Sequence, residues 1–154
     1  MPNIKVTPAK GLFQSAGTST VPNGTLSGQL SVVRAISANA TLTQADSGKI
    51  IELDQDGTYT ITLPAAADVA GFYVRFVVTD AGSGTVTIET NGGASGIVGI
   101  ASDPTTGINN VSDRQLTFAG TGAVGDYAFI YSNGTRYVVD AKSGATNGIV
   151  GNTP

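Results

Sequence analysis

The chain closes on two alternating apolar runs, Tyr127-Ala128-Phe129-Ile130-Tyr131 and Tyr137-Val138-Val139, that flank an Asn133-Gly134 pair. Asn-Gly between such runs is the strongest short-range hairpin signal a sequence carries, because both residues tolerate the positive φ that tight turns need. The same grammar recurs upstream, where short runs rich in Thr, Val and Ile alternate with Gly-, Asn- and Asp-rich breaks. Thr58-Tyr59-Thr60-Ile61-Thr62-Leu63 alternates cleanly, with Tyr59, Ile61 and Leu63 directed inward, and Pro64 ends the run by removing a backbone donor. Residues 72–79 form the most apolar run, with Phe72, Val74, Phe76 and Val78 on one face and Arg75 on the other.

Further strands are expected over 30–36, 40–43, 49–54, 85–89 and 115–119, with 85–89 the antiparallel partner of 72–79. The Gly-rich stretch 91–110 reads as an excursion carrying one short strand near Ile97-Val98-Gly99-Ile100, and the Ala-rich 65–71 as at most a helical turn. About eight to ten short strands and no 3.6-residue period point to an all-β fold. The expected architecture is an antiparallel sandwich, jelly-roll-like, with an extended N-terminal arm. The division reads as an arm over 1–29, a sandwich over 30–143 and a loose tail over 144–154.

The arm is expected because Pro2, Pro8 and Pro22 break a polar stretch holding two apolar islands, Ile4/Val6 and Leu12/Phe13. So little apolar area cannot offset its own ordering entropy, so the segment should be mobile unless Ile4, Val6, Leu12 and Phe13 dock on a partner. Charged residues make up 12% of the chain, about half the usual share, so the surface must be built from Thr, Ser, Asn and Gln. The eight basic residues are scattered and the net charge is −3, which argues against a nucleic-acid footprint. No apolar run is long enough to span a bilayer, and the first residues lack the apolar core of an export signal.

The residue types that usually carry chemistry are scarce. There is no histidine and no cysteine, which removes the commonest general base, the Ser-His and Cys-His nucleophiles and the commonest zinc ligands. Glu52 and Asp54, on one face of one strand, lack the across-cleft spacing of a glycosidase pair. Asp54-Gln55-Asp56-Gly57 opens like a calcium loop, but the later ligands of that pattern are missing, and an Asp-Gly type I′ turn explains the residues. Gly48-Lys49 lacks the leading glycine and the trailing Ser or Thr of a phosphate loop. No catalytic residue, cofactor or metal is therefore expected. Tyr127, Phe129, Tyr131 and Tyr137 are assigned to one face of the closing hairpin, as core or subunit interface, with a sugar-stacking platform as the alternative.

The run Ala40-Thr41-Leu42-Thr43-Gln44-Ala45-Asp46-Ser47-Gly48-Lys49-Ile50-Ile51-Glu52-Leu53-Asp54 resembles a segment that recurs in structural proteins of tailed bacteriophages. So do Ile61-Thr62-Leu63-Pro64-Ala65, the run Gly71-Phe72-Tyr73-Val74-Arg75-Phe76 and the closing hairpin. The likeness is to head decoration (cement) proteins and related virion-surface β proteins, and spans about 40–140 without 91–114. Similar hairpins often carry Trp where this chain has Tyr137. The resemblance implies a protein made in the host cytoplasm that sits on the outer surface of the capsid. It would bridge subunits of the major capsid protein as a homotrimer, with no nucleic-acid or membrane partner. A tail-fibre or tailspike module that binds a receptor or carbohydrate is the competing expectation.

Overall fold

The computed structural model describes residues 4–7, 11–14, 32–91, 96–105 and 107–152. The chain divides into two units, Met1–Leu30 and Ser31–Pro154. In the first, β1 (Ile4–Thr7) and β2 (Gly11–Gln14) pair antiparallel, with Ile4 opposite Gln14, Lys5 opposite Phe13 and Val6 opposite Leu12. The stretch expected to run extended thus folds back on itself, and the rest of the expected arm lies outside the described residues.

The second unit is an all-β sandwich of two sheets. The first six strands are β3 (Val33–Ile36), β4 (Ala40–Thr41), β5 (Ile50–Asp54), β6 (Tyr59–Leu63), β7 (Tyr73–Asp80) and β8 (Val86–Thr90). Then come β9 (Ile97–Asp103), β10 (Gly107–Asp113), β11 (Gln115–Phe118), β12 (Tyr127–Ser132), β13 (Tyr137–Lys142) and β14 (Ile149–Asn152). One sheet has seven strands in the order β10-β9-β13-β12-β7-β5-β3; the other has five, β14-β11-β8-β6-β4.

From β3 to β8 the chain changes sheet at every connection. As a result β3, β5 and β7 lie side by side and parallel in the larger sheet, and β4, β6 and β8 do the same in the smaller. Parallel neighbours need a crossover between them, and here each crossover is a strand of the opposite sheet. This corrects the expected pairing of 72–79 with 85–89: β7 and β8 belong to different sheets, and β8 lies between β6 and β11. The sheets are mixed, whereas the antiparallel jelly-roll expectation requires antiparallel neighbours throughout. The Asp54-Gln55-Asp56-Gly57 turn is likewise an arch between sheets and not a type I′ hairpin.

Stacked arches bring main chains close together. The Gly84 amide donates to the Gln55 carbonyl at 2.7 Å, and a Cβ on Gly84 would lie 2.2 Å from the Gly57 carbonyl oxygen. Only glycine fits such an approach. Between the sheets, Ile51, Leu53, Val74, Phe76, Ile61, Ile88, Leu116 and Phe118 are fully buried.

Two segments are more ordered than the sequence suggested. The 91–110 excursion contains β9 and most of β10, which pair antiparallel, while β9 also joins β13 in parallel. The tail expected to be loose contains β14, an edge strand on β11 that buries Ile149. Apolar Ile149 was hidden among glycines, and its burial anchors the segment.

Candidate functional site

Strand alternation directs half of each strand in the larger sheet away from the core, and among the described residues that half holds several large exposed apolar side chains. Tyr73 and Arg75 on β7 face outward beside Phe129 and Tyr131 on β12; Phe129 pairs with Arg75 and Tyr131 with Tyr73. The Phe129 ring lies 6.2 Å from Tyr73 and 6.2 Å from Tyr131, and the Arg75 guanidinium sits 4.7 Å above the Tyr127 ring. Such contacts pre-order the side chains, lowering the entropy that a later partner must overcome. Ile100 on β9 and Val33 on β3 extend the exposed apolar surface towards both edges. A sheet face open to water is normally polar, so this one has the character of a contact surface.

Tyr137 does not belong to it. The loop between β12 and β13 holds four residues, 133–136, so odd-numbered residues of β12 stand opposite even-numbered residues of β13: Tyr127 faces Lys142, Phe129 faces Asp140 and Tyr131 faces Val138. Tyr137 therefore points inward, fully buried, edge-on to Phe72 at 6.3 Å, and its hydroxyl donates to the Pro64 carbonyl at 2.8 Å. Burial pushes its pKa up to about 12. Tyr73 and Arg75, with Ile100 and Val33, are members of the outer face that sequence reasoning missed. Period-two alternation on 72–79 placed Tyr73 and Arg75 outside the core, but only the β7–β12 pairing brings them to the aromatics. Ile4, Val6, Leu12 and Phe13, the expected capsid contacts, all lie on the β1–β2 hairpin.

The smaller sheet presents a different outer face. A groove of about 310 Å³ is lined by Asn39, Ala40, Thr41, Thr60, Thr62 and Glu89, with the Thr62 hydroxyl 3.2 Å from Glu89 Oε1. Glu52, on the larger sheet, is half-buried beside Val77 and Ala35. At the arch, carboxylate oxygens of Asp54, Asp56 and Asp80 come within 4.8 Å of one another. Asp54 Oδ1 already accepts the Asp56 amide at 2.9 Å, and the buried side chain of Gln55 between them is directed elsewhere.

Three buried polar side chains hold the connections that carry these faces. Gln55 Nε2 donates to the carbonyls of Gly84, Phe118 and Ala119 at 3.4, 3.3 and 3.0 Å. Asp126 accepts the Ala123 amide, the Gly144 amide and the Ser143 hydroxyl at 3.0, 2.7 and 2.7 Å, tying the loop after β13 to the start of β12. Asp46 Oδ1 accepts from Arg34 and Lys49, each at 2.8 Å, while Oδ2 accepts the Thr43 amide at 2.9 Å. Burial alone would raise the Asp46 pKa, but the bonds from Lys49, Thr43 and Arg34 outweigh it and bring the value down to about 2. Comparison with protein-family models, with curated proteins and with solved structures finds no match to the chain.

Proposed function

We propose that the chain is a non-enzymatic bacteriophage head decoration protein. In this reading it binds the outer capsid surface and stabilises the head by bridging subunits of the major capsid protein. The resemblance of residues 40–90 and 115–140 to virion-surface β proteins and the scarcity of proton-transfer side chains favour adhesion over turnover. The observation that carries the reading is the two-unit organisation, with the antiparallel pair β1–β2 preceding the sandwich in sequence. A hairpin of two four-residue strands is marginal by itself and gains from a surface on which to dock. Many copies, each burying a modest apolar area, would together oppose separation of the shell subunits.

Purified protein mixed with expanded, undecorated capsids should bind saturably and raise their melting temperature. Deleting residues 1–29 should weaken that binding while leaving the sandwich folded. Absence of any binding removes the proposal. The aromatic row Tyr73, Phe129 and Tyr131 favours a second reading, a receptor- or carbohydrate-binding module of a tail fibre. Labelled protein would then mark tail tips and not heads, and a glycan array would return hits that Phe129→Ala abolishes.

A further inference from the structure

We propose that the outer face of the seven-stranded sheet is a self-association surface on which a second copy of this chain packs face to face about a two-fold axis. The inference does not depend on the capsid reading. It rests on the order of residues across the sheet. One outward row runs Val33, Ile50, Arg75, Phe129, Asp140 and Ile100 over six adjacent strands. About Phe129 this row is complementary to its own reverse. Arg75 on one side matches Asp140 on the other, and one strand further out Ile50 matches Ile100.

An isologous interface brings residue i of one copy against residue j of the other, and j against i. A two-fold axis along β12 at Phe129 would place the two Phe129 rings together at the centre. It would set Arg75 of each copy opposite Asp140 of the other, and Ile50 opposite Ile100. In the neighbouring row it would put Tyr73, opposite Tyr131 on β12, against Val138 of the second copy.

Exposure and charge agree with this arrangement. Phe129, Tyr131, Ile100 and Tyr73 are 38, 40, 41 and 48% exposed, a concentration of large apolar side chains that a lone sheet face does not need. Asp140 makes no ion pair among the described residues, and Arg75 is held only over the Tyr127 ring. Both charges are thus available to a partner. Six strands about 4.8 Å apart and three outward rows about 6.7 Å apart give a footprint of about 600 Å² per copy, which reaches the lower end of stable interfaces. The state implied is a pair, in place of the trimer implied by the resemblance.

Sedimentation equilibrium of the full-length chain across the micromolar range tests the arrangement. The expected mass is twice the 15.5 kDa of one chain. Arg75→Glu and Asp140→Arg, each alone, should weaken the pair about tenfold or more, and the double variant should recover it, because the charges then match again with their signs exchanged. Circular dichroism of each variant reports whether its fold is kept. Hydroxyl-radical labelling of the unsubstituted chain is a second readout, in which Tyr73, Phe129 and Tyr131 should become protected as concentration rises. A monomer or a trimer overturns the inference, as does a dimer indifferent to both substitutions. Single variants that the double fails to rescue, or labelling that ignores concentration, also overturn it.

Discussion

Gln55 Nε2 lies 3.0 Å from the carbonyl oxygen of Ala119, a residue 64 positions further along the chain. The same nitrogen faces the carbonyls of Gly84 and Phe118, so one fully buried side chain ties together the connections that follow β5, precede β8 and follow β11. Replacing Gln55 with Leu keeps the approximate volume and leaves these groups without the amide donor. Stability should fall by about 2–4 kcal/mol, because buried acceptors left without a donor carry their desolvation penalty uncompensated. Gln55→Glu should be worse at neutral pH, since a carboxylate would face three carbonyl oxygens. Urea denaturation of the two variants checks both the size and the order of the losses.

The β9–β10 hairpin hangs on a close approach at Gly99. Its φ is +148°, and a Cβ there would fall 1.9 Å from the Val139 carbonyl oxygen. Gly99→Ala should therefore push β9 off β13 and cost more than about 2 kcal/mol. The damage should be local. Hydrogen exchange should accelerate across β9 and β10 well before it does in β6 or β8, and a uniform increase would contradict the account.

Asp46 gives the fold an acid limit. Its carboxyl is held near pKa 2, against 3.8 for the free group, by Lys49, Thr43 and Arg34 acting against burial. A depressed folded-state pKa contributes stability that is present above the unfolded value and is lost as pH falls through the folded one. The loss should therefore develop between about pH 4 and pH 2 and amount to about 2 kcal/mol. Melting temperatures across that window should drop in the wild type and change much less in Asp46→Asn, which begins lower.

Alternation made the strands legible. Tyr59, Ile61 and Leu63, and Val74, Phe76 and Val78, face inward as their spacing required. Period two fixes which way a side chain points but not which strand lies beside it, so the sheet change between β7 and β8 left no mark on residues 72–89. The outer aromatic face was half-legible for this reason: Phe129 and Tyr131 could be seen, but Tyr73 and Arg75 join them only through pairing. Tyr137 shares no face with Phe129 and Tyr131 because any loop with an even number of residues, the two of Asn133-Gly134 or the four observed, sets odd-numbered residues of β12 opposite even-numbered residues of β13. The buried work of Gln55 was illegible, since Asp54-Gln55-Asp56-Gly57 reads as a surface turn until the arches stack.

Tyr137 and Tyr59 set the opposite limit. Tyr59 donates its hydroxyl to the Ile36 carbonyl at 2.7 Å, and burial raises its pKa to about 12, as it does for Tyr137. Burial disfavours the phenolate, so each group contributes stability that is complete below about pH 10 and lost as pH rises towards 12. Wild-type protein should unfold cooperatively in that range, with phenolate absorbance at 295 nm rising in step with the loss of circular dichroism. Tyr137→Phe should lose about 1–2 kcal/mol at neutral pH, because the Pro64 carbonyl forfeits its donor. It should also shed part of the alkaline sensitivity, since one of the two buried hydroxyls is gone. Phenolate formation at Tyr59 and Tyr137 that precedes unfolding would mean that these hydroxyls are reached by water in the native state, contrary to their burial against Ile36 and Pro64.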